Sequence, residues 1–503
     1  MTHWKSLGGS AVLMTLLSTT AQADVTAEQV WQAWQDMSAN MGQTITADAE
    51  DMSGDTLTVS GITMSADVPD GAMVGTIEQV LFKELGDGTV EVTMSPETPI
   101  TVTTEVEGEE PVEVVLHMQL DGMKMIAAGS ETDLSYDVGA ASVAVVLDSV
   151  AQAGTEVEMA FTVAMNGLAG KYTVTSGALE TVATNLTADN LTFDVAMTDP
   201  ETGGDFKMNG EMAAIKSASS ATMAPETDFA DMAAALKAGF ATSGGFTHGK
   251  TNYSFDYKDE TSSGKAVGSS DSGGITFAMD GDKLAYGMTS NATDITVSSS
   301  DMPFPEVNAK MGELAFNMLM PVAVTTEPQD FSLLTKIVDL TVSDEIWGMF
   351  DPAAVLPRDP ATVILDVAGK ANWLTDIFAI DPAAPPSEET PAQIHALALN
   401  QLKVTLGGAD LSGTGAFTFD NSDMTTVPGM PKPTGSIDLM LVGGNGLLDK
   451  LVQMGLLPEE QAMGAKMMMG MFGRTTEGAE DTLTSQIEMK EDGSIFANGQ
   501  QIQ

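Results

Sequence analysis

The chain contains no cysteine in its 503 residues. This absence excludes disulfide cross-links, a thiolate nucleophile, zinc sites built on cysteine and a lipid-modified cysteine anchor. Histidine is almost as scarce. His117, His248 and His395 stand alone in the sequence, without the H-x-x-x-H or H-x-E spacing of a metal site. We therefore expect no bound metal and no cofactor.

Basic side chains are also few. The chain has 21 lysines and arginines against 71 aspartates and glutamates, a formal net charge of −50. Such a charge repels nucleic-acid backbones and anionic headgroups, so we expect no nucleic-acid partner. Because the carboxylates are spread along the chain rather than gathered into ligand loops, a role in solubility or salt tolerance is favoured over the collection of divalent cations.

Motifs for nucleophilic or phosphate chemistry are missing as well. There is no G-x-S-x-G elbow, and Ser262-Ser263-Gly264-Lys265 matches S-x-x-K only inside a Ser/Gly-rich stretch. Gly443-Gly444-Asn445-Gly446 follows a predicted strand and opens a helix, but it lacks the spacing of a dinucleotide-binding loop. Residues 280–282 and 420–423 are calcium-loop fragments without the closing glutamate. We assign no catalytic, cofactor-binding or metal-ligating residue.

Residues 1–23 have the pattern of an export signal. Lys5 supplies a positive charge, residues 7–20 are apolar or small, and Ala21-Gln22-Ala23 is an A-x-A cleavage site. This is the three-part pattern of a secretory signal peptide and is too short to span a membrane. We expect cleavage after Ala23, a periplasmic mature protein and no transmembrane segment after cleavage.

From residue 56 onwards the hydrophobic pattern has a period of two. Residues 100–106, 112–120, 157–165 and 191–197 each alternate apolar with mostly polar side chains, which is typical of half-buried antiparallel strands. Asp-Gly pairs between such runs predict type I′ hairpin turns, at 87–88, 121–122, 280–281 and 492–493. We predict a mainly β fold of long meandering antiparallel sheets, curved or sandwich-like, with a few packing helices.

Helical spacing occurs at four places. Thr26 and Gln29 predict a capping box for a helix that lays Val30 and Trp34 on a sheet. A second helix follows Pro225 and has Phe229, Met232, Ala233, Leu236 and Phe240 on one stripe. A short helical turn covers residues 344–350. A C-terminal helical hairpin is predicted over 446–454 and 458–472.

Methionine is abundant, with 35 residues in the chain and a dense run from Met467 to Met471. Thioethers can hold Cu(I), and surfaces rich in methionine bind apolar partners promiscuously. Most methionines fall at inward positions of the alternating patterns. We therefore interpret them as core filling.

Composition divides the chain into four parts. They are the signal peptide (1–23), an N-terminal helix plus β-rich region (24–224), a helix plus second β-rich region (225–425), and a C-terminal strand, helical hairpin and closing β-hairpin (426–503). Residues 381–391, which contain four prolines, predict a surface linker. Residues 261–274 predict a long hairpin tip.

The C-terminal third contains several distinctive phrases, namely Phe350-Asp351-Pro352, Leu356-Pro357-Arg358-Asp359-Pro360, Phe419-Asp420-Asn421-Ser422-Asp423, Val442-Gly443-Gly444-Asn445-Gly446, residues 455–462 and Asn498-Gly499-Gln500. With the signal peptide and the helix around Val30-Trp31, they resemble the uncharacterised family of alphaproteobacterial envelope proteins called domain of unknown function 2125. The resemblance implies an envelope protein and transfers no catalytic or ligand residue.

A weaker similarity is to envelope proteins of the AsmA type. Their strand pairs around Gly-x-Gly-x-Phe, as in Gly413-Thr414-Gly415-Ala416-Phe417, build long curved sheets with an apolar groove. The chain departs from that type by lacking the usual N-terminal membrane anchor.

These features predict a non-enzymatic secreted envelope protein that presents an apolar β-sheet groove to lipid or to another apolar partner. Two alternatives stay open. A hydrolase of envelope polymers would need two acids facing each other across a cleft, at least one with a raised pKa. A divalent-cation-dependent structural or adhesive protein would need clustered carboxylates.

Overall fold

The computed structural model describes residues 24–40, 42–68, 71–104, 111–130, 132–152, 155–199, 202–225, 227, 229, 231–379, 391–476 and 478–502. The predicted signal peptide, residues 105–110 and nearly all of the predicted linker lie outside these residues. The chain is 64% strand and 12% helix, and its strands form one large antiparallel sheet. The predicted mainly β class is confirmed.

Five α-helices lie among the described residues, together with a 3₁₀ turn at Ile377–Ala379. They are α1 (Ala27–Asn40), α2 (Met232–Lys237), α3 (Asp344–Phe350), α4 (Gly444–Gln453) and α5 (Glu459–Phe472).

The strands fall into three groups along the chain. The first is β1 (Thr44–Thr46), β2 (Ala49–Ser53), β3 (Thr56–Val68), β4 (Gly71–Glu84), β5 (Val90–Met94), β6 (Glu97–Thr104), β7 (Val112–Asp121), β8 (Lys124–Ser130), β9 (Asp133–Gln152) and β10 (Thr155–Glu156). The second is β11 (Met159–Thr175), β12 (Glu180–Thr198), β13 (Asp205–Met223), β14 (Ala241–His248), β15 (Thr251–Lys258), β16 (Ser263–Ser270), β17 (Ser272–Met279), β18 (Lys283–Ser299), β19 (Val307–Pro321) and β20 (Gln329–Val342). The third is β21 (Ala361–Trp373), β22 (Ala392–Leu406), β23 (Ala409–Asp420), β24 (Lys432–Val442), β25 (Arg474–Thr475), β26 (Thr482–Met489), β27 (Ile495–Ala497) and β28 (Gln500–Gln501).

The sheet is a meander in which each strand pairs with strands close to it in sequence. Strands β9, β11, β12 and β13 pair in that order, and β18 to β24 pair consecutively. Pairing continues across both predicted domain boundaries, because β13 pairs with β14 and β15 and β23 pairs with β24. The boundaries at 224 and 425 remain predictions from composition.

One side of the sheet, here called the apolar face, carries large hydrophobic side chains across thirteen strands. Directly paired residues of neighbouring strands lie on the same side of a sheet. One row of such residues is Tyr136, Tyr172, Thr184, Ser219, Gly244, Phe277, Tyr286, Met318, Leu333, Val367, Leu399, Gly415 and Ile437. A neighbouring row is Val138, Gly170, Leu186, Ser217, Phe246, Ile275, Met288, Phe316, Thr335, Leu365, Leu402, Gly413 and Leu439.

The other side of the sheet, the opposite face, is mostly small or polar. Its corresponding row is Asp137, Lys171, Asn185, Ala218, Gly245, Thr276, Gly287, Asn317, Leu334 and Asp366.

Several long strands shift their alternation by one residue at a left-handed kink. In β11 the apolar positions are odd-numbered up to Met165 and even-numbered from Leu168, and Gly167 between them has φ +63°. Comparable residues are Gly61, Ala214, Ala292 and Asp339. Leu57, Val59 and Ile62 flank the kink in β3 and pack into one core. The kink therefore keeps apolar side chains on a single face while the strand bends.

Helix α1 covers the N-terminal end of the apolar face. The Thr26 side chain accepts from the Gln29 N–H at 3.3 Å, and the Gln29 side chain accepts from the Thr26 N–H at 3.0 Å, which confirms the predicted capping box. Val30 and Trp31 are buried against Phe82 and other side chains of β3, β4, β5, β8 and β9. This is the main hydrophobic core.

The rest of the apolar face has no comparable core. Among the described residues from 241 onwards, six apolar side chains are buried, namely Ala315, Val322, Trp347, Leu356, Ala462 and Ala497. A sealed sandwich would bury one side chain in two along each inner strand. The sheet is therefore a single layer over most of its length, and the apolar face is only partly covered.

Three local predictions are wrong. Helix α2 begins at Met232, after the Asp231 cap, so Phe229 lies outside it. The stretch predicted as a hairpin tip at 261–274 contains β16 and the start of β17. The Asp-Gly pairs do not form type I′ turns: Asp280 and Gly281 both lack positive φ, and the Asp280 carboxylate instead accepts from the backbone N–H groups of Asp282 and Lys283. Positive φ at both residues occurs at Asn498-Gly499, between β27 and β28.

Candidate functional site

The middle of the apolar face is the candidate binding surface. Phe277 on β17 and Tyr286 on β18 are paired neighbours and are 42% and 37% exposed. Tyr286 also lies against Phe316, with ring centroids 6.2 Å apart. Other large apolar side chains on this face that remain exposed are Val363 and Leu406. Contiguous exposed hydrophobic surface of this kind marks binding sites in soluble proteins.

Helices border this uncovered surface. At one end the Tyr172 hydroxyl, on the apolar face, donates to Met37 of α1 at 3.1 Å. At the other end the Ser485 hydroxyl, paired across the sheet with Leu439, donates to the carbonyl of Phe472 at the end of α5 at 2.8 Å. Helix α2 packs Leu236 against Met279, also on this face. The helices therefore frame the apolar face and leave its middle open.

The opposite face carries two open hollows. One, of about 670 Å³, crosses β11 to β14 and β17 and is lined largely by small and polar side chains, including Thr187, Ala218 and Thr247. The other, of about 480 Å³, crosses β19 to β24, with Ala368 and Ala398 at its floor. Their small residues leave room for a flat or extended ligand, but the large apolar side chains lie on the other side of the sheet.

One further hollow contains several acids. It has a volume of about 490 Å³ and is lined by Asp48, Glu78, Glu97 and His117, among others. The His117 ring donates to the Glu97 carboxylate, so the imidazole already has a partner. Within the described residues no group of three His, Cys, Asp or Glu side chains is close enough to hold a metal ion.

Where the pKa of a carboxyl group among the described residues is shifted, the shift is always in the same direction. Hydrogen bonds from Thr426 and Thr425 lower the pKa of Asp423 far below its usual range, and those from Tyr257, Thr261 and Ser262 do the same for Asp259. Among the described residues, each carboxyl with a displaced pKa has it lowered, at Asp87, Asp259, Asp294, Asp351, Asp420, Asp423, Asp481 and Asp492. A carboxyl group that acts as a general acid needs a raised pKa instead. Most of these carboxylates stabilise turns or helix ends, and Asp294, within β18, pairs with Lys310 of β19.

The other two isolated histidines are hydrogen-bonded within the fold. His395 Nε2 donates to the side-chain oxygen of the buried Asn372 at 2.6 Å. His248 is the last residue of β14, and its Nδ1 lies 2.9 Å from the Gly249 carbonyl. The structure does not bring the three histidines together in one cluster.

The glycine turn at 443–446 already holds an anion from its own chain. Gly443 has φ +74° and caps α4. The Asp481 carboxylate accepts from the backbone N–H groups of Asn445 and Gly446, at 3.2 and 2.8 Å. A carboxylate at a helix N-terminus is favourable because the helix dipole is positive there. The turn is therefore a structural cap, as interpreted from the sequence.

The remaining motifs are also structural. The Ser262 hydroxyl donates to Asp259 at 3.2 Å in the turn before β16, which explains the S-x-x-K match without catalysis. Asp420 and Asp423 accept from the N–H and hydroxyl groups that follow them, and both lie within 4 Å of Lys432. A lysine therefore stands where a calcium ion would have to bind.

The methionine run is not core filling, which corrects the sequence interpretation. Met463, Met467, Met468 and Met471 of α5 are 66%, 67%, 51% and 61% exposed. The buried residue of α5 is Ala462, on the other side of the helix. The sequence predicts the helix over 458–472 but does not show which side of it faces the protein.

The distinctive phrases of the C-terminal third lie at junctions. Asp351 is fully buried and accepts from the N–H groups of Val355 and Leu356, at 2.8 and 2.9 Å. Burial opposes its ionisation, but these donors and the positive charge of Arg358 lower its pKa. Arg358 also stacks over Trp347 of α3, 5.4 Å from the ring centroid. These residues join α3 to the sheet.

Among the described residues, none of the helices is both long and apolar enough to cross a bilayer. No curated protein matches the chain, and no solved structure matches it. Residues 255–498 match the family described as "Uncharacterized protein conserved in bacteria (DUF2125)". This region begins within β15 and ends just after β27, so it contains the distinctive phrases of the C-terminal third except for Gly499 and Gln500. Over residues 255–498 the chain therefore resembles the DUF2125 family, as its sequence predicts.

Proposed function

We propose that this protein is a non-enzymatic, exported envelope protein that holds lipid hydrocarbon chains on the apolar face. The observation that carries the proposal is the apolar face itself, which is continuous from β9 to β24 and uncovered in its middle. Removing such a surface from water is favourable and lowers the free energy by about 25 cal/mol per Å² of apolar area.

The size of the face suits an extended apolar ligand. Thirteen strands lie side by side between Tyr136 and Ile437, and neighbouring strands are about 4.8 Å apart, so the row spans roughly 60 Å. One leaflet of a bilayer has a hydrocarbon thickness of about 15 Å. The face is therefore long enough to hold several acyl chains in succession.

Charge limits the headgroup. The net charge of −50 disfavours anionic headgroups, so neutral or zwitterionic lipids fit best. The hydrolase alternative is less well supported because the displaced carboxyls among the described residues have lowered pKa values. The cation-dependent alternative predicts a calcium-dependent melting temperature beyond the matched ionic-strength control.

Two neighbouring positions of β17 provide a matched test. Phe277 lies on the apolar face and Thr276 on the opposite face, and both are exposed. Native mass spectrometry should show lipid on the protein purified from its own envelope fraction. Phe277→Glu should reduce the lipid-bound fraction at least tenfold, while Thr276→Glu should leave it unchanged. Lipid-free protein that also fails to take up lipid from zwitterionic vesicles would exclude the proposal.

The export part of the proposal has its own test. Residues 1–23 have the three-part composition of a signal peptide. The N-terminal sequence of protein from the periplasmic fraction should begin at Asp24, and its intact mass should correspond to residues 24–503. Recovery of the full-length chain from the cytoplasm would contradict export and leave the lipid measurement unaffected.

A further inference from the structure

We propose that the outer side of α5 is a thioether site for the soft monovalent ion Cu(I), in which Met467 binds the ion together with either Met463 or Met471. Neutral thioethers bind soft ions such as Cu(I) and are poor ligands for the harder divalent ions. The site is separate from the apolar face and does not depend on lipid binding.

Exposure sets these methionines apart from the rest of the chain. Among the exposed large hydrophobic side chains of the described residues, the four most exposed are Met349, Met467, Met463 and Met471. Three of these four lie on one helix. Exposure of an apolar side chain to water is unfavourable. A helix with a well-packed Ala462 on its other side has no packing need for these methionines.

The spacing brings the three sulfur atoms to one line. Met463, Met467 and Met471 are separated by four residues each, and side chains four apart on a helix are neighbours with Cβ atoms about 5–6 Å apart. Each methionine has three rotatable bonds and adapts its sulfur position. Met467 can therefore share one ion with Met463 or with Met471 without movement of the backbone, whereas Met463 and Met471 are about 12 Å apart along the helix axis.

The surroundings leave the site open. Gly464 and Gly470 lie within the same stretch of α5, and a Cβ atom at either position would meet no other heavy atom within 4 Å. Lys466 is directed away by its ion pair with Asp449 on α4. The ion can thus approach from solvent.

Charge and competing ligands also favour this position. Glu459 and Glu460 occupy the first turn of α5, and the net charge of −50 attracts cations. The chain has no thiolate to compete for a soft ion. His117, His248 and His395 each contact a hydrogen-bonding group elsewhere in the sheet.

The test measures Cu(I) binding to the whole chain under anaerobic conditions, in competition with a chromophoric Cu(I) chelator. The site variant is Met463→Leu/Met467→Leu/Met471→Leu, and the control is Met349→Leu/Met424→Leu/Met430→Leu, at three exposed methionines elsewhere. Leucine keeps the apolar surface and removes the sulfur, so any purely apolar contact of α5 would survive. Circular dichroism checks that both variants fold.

The wild type and the control variant should bind one Cu(I) per chain with equal affinity, and the site variant should bind it at least tenfold more weakly. Silver(I), a soft ion that does not change oxidation state, should show the same order, and Zn²⁺ should not bind to the site. Equal Cu(I) affinity of the two variants, or no binding by the wild type, would overturn the proposal.

Discussion

The helices near the two ends of the chain differ in whether their apolar stripe is buried. Helix α1 buries Val30 and Trp31 in the main core, whereas α5 turns its methionines to solvent. The sheet shows the same difference, since β3 to β5 are covered by α1, whereas the apolar face is uncovered in its middle, where Phe277 and Tyr286 are exposed. Stability is therefore concentrated in the N-terminal region, and surface available for binding lies further along the chain.

The largest expected difference comes from one substitution made in both regions. Phe82 is fully buried between Trp31 and Trp34, and Phe277 is exposed. Phe82→Ala should lower the free energy of unfolding by about 3–5 kcal/mol. Phe277→Ala should change it by less than about 1 kcal/mol. Urea unfolding followed by circular dichroism measures both. Equal losses would show that the middle of the apolar face is covered in solution.

Acid should destabilise the part of the chain from Asp259 onwards before it destabilises the α1-covered N-terminal region. Among the described residues, lowered carboxyl pKa values occur at one residue of the α1-covered region, Asp87, and at seven residues from Asp259 onwards. A carboxyl with a lowered folded pKa stabilises the fold above its unfolded pKa, about 3.9, and this contribution is lost as the pH falls further. Amide hydrogen exchange below pH 4 should rise first in the turns after β15 and β23.

A variant isolates this pH effect from general charge repulsion. Asp423→Asn removes a carboxylate that accepts from Thr425 and Thr426. It should destabilise the protein near pH 7, and the difference should shrink as the pH falls below about 4, where Asp423 begins to bind its proton in the unfolded wild-type chain. A constant difference between variant and wild type at every pH would contradict this explanation.

A smaller effect is expected where Asp481 caps α4. Asp481→Asn removes the negative charge from the helix N-terminus and should cost about 1 kcal/mol. The loss should be confined to the α4–α5 hairpin, so hydrogen exchange should rise there and not in α1. An equal rise in α1 would mean that the two regions unfold together.

The smallest effect concerns the left-handed kinks. Ala292 has φ +51°, where a Cβ atom costs about 1–2 kcal/mol, and glycine loses part of that gain through the entropy of the unfolded chain. Ala292→Gly should therefore stabilise the protein by about 0.5–1 kcal/mol. Ala285→Gly, in the regular part of the same strand, should destabilise it by a similar amount. Thermal melting of the two variants distinguishes them.

Much of the fold could be predicted from local patterns. Alternation of apolar and polar residues identified the strands, the Thr26–Gln29 box identified the start of α1, and Gly455 with Pro458 separated α4 from α5. The kinks were missed, although the shift from odd to even apolar positions around Gly167 is visible in the sequence. An alternation shift is the signal that could have located them.

The candidate sites were harder to predict because they depend on whether other parts of the chain lie over an apolar surface. The sequence shows that Phe277 and Tyr286 are apolar, but only the three-dimensional arrangement shows that no helix lies over them. The same holds for Met463 and Met467, whose helical spacing fits a buried stripe as well as an exposed one. Type I′ turns were misassigned because an Asp carboxylate can close a hairpin with its own side chain, as Asp280 does.

The meander of the sheet has a consequence for how the chain folds. Nearly every strand pairs with strands that directly precede or follow it, and the longest steps, such as β5 to β8 and β14 to β17, skip only two strands. Contacts between residues close in sequence form with a small loss of loop entropy, and they allow rapid folding. Each strand can therefore add to the growing edge as soon as it is synthesised, with the α1-covered region as the first template.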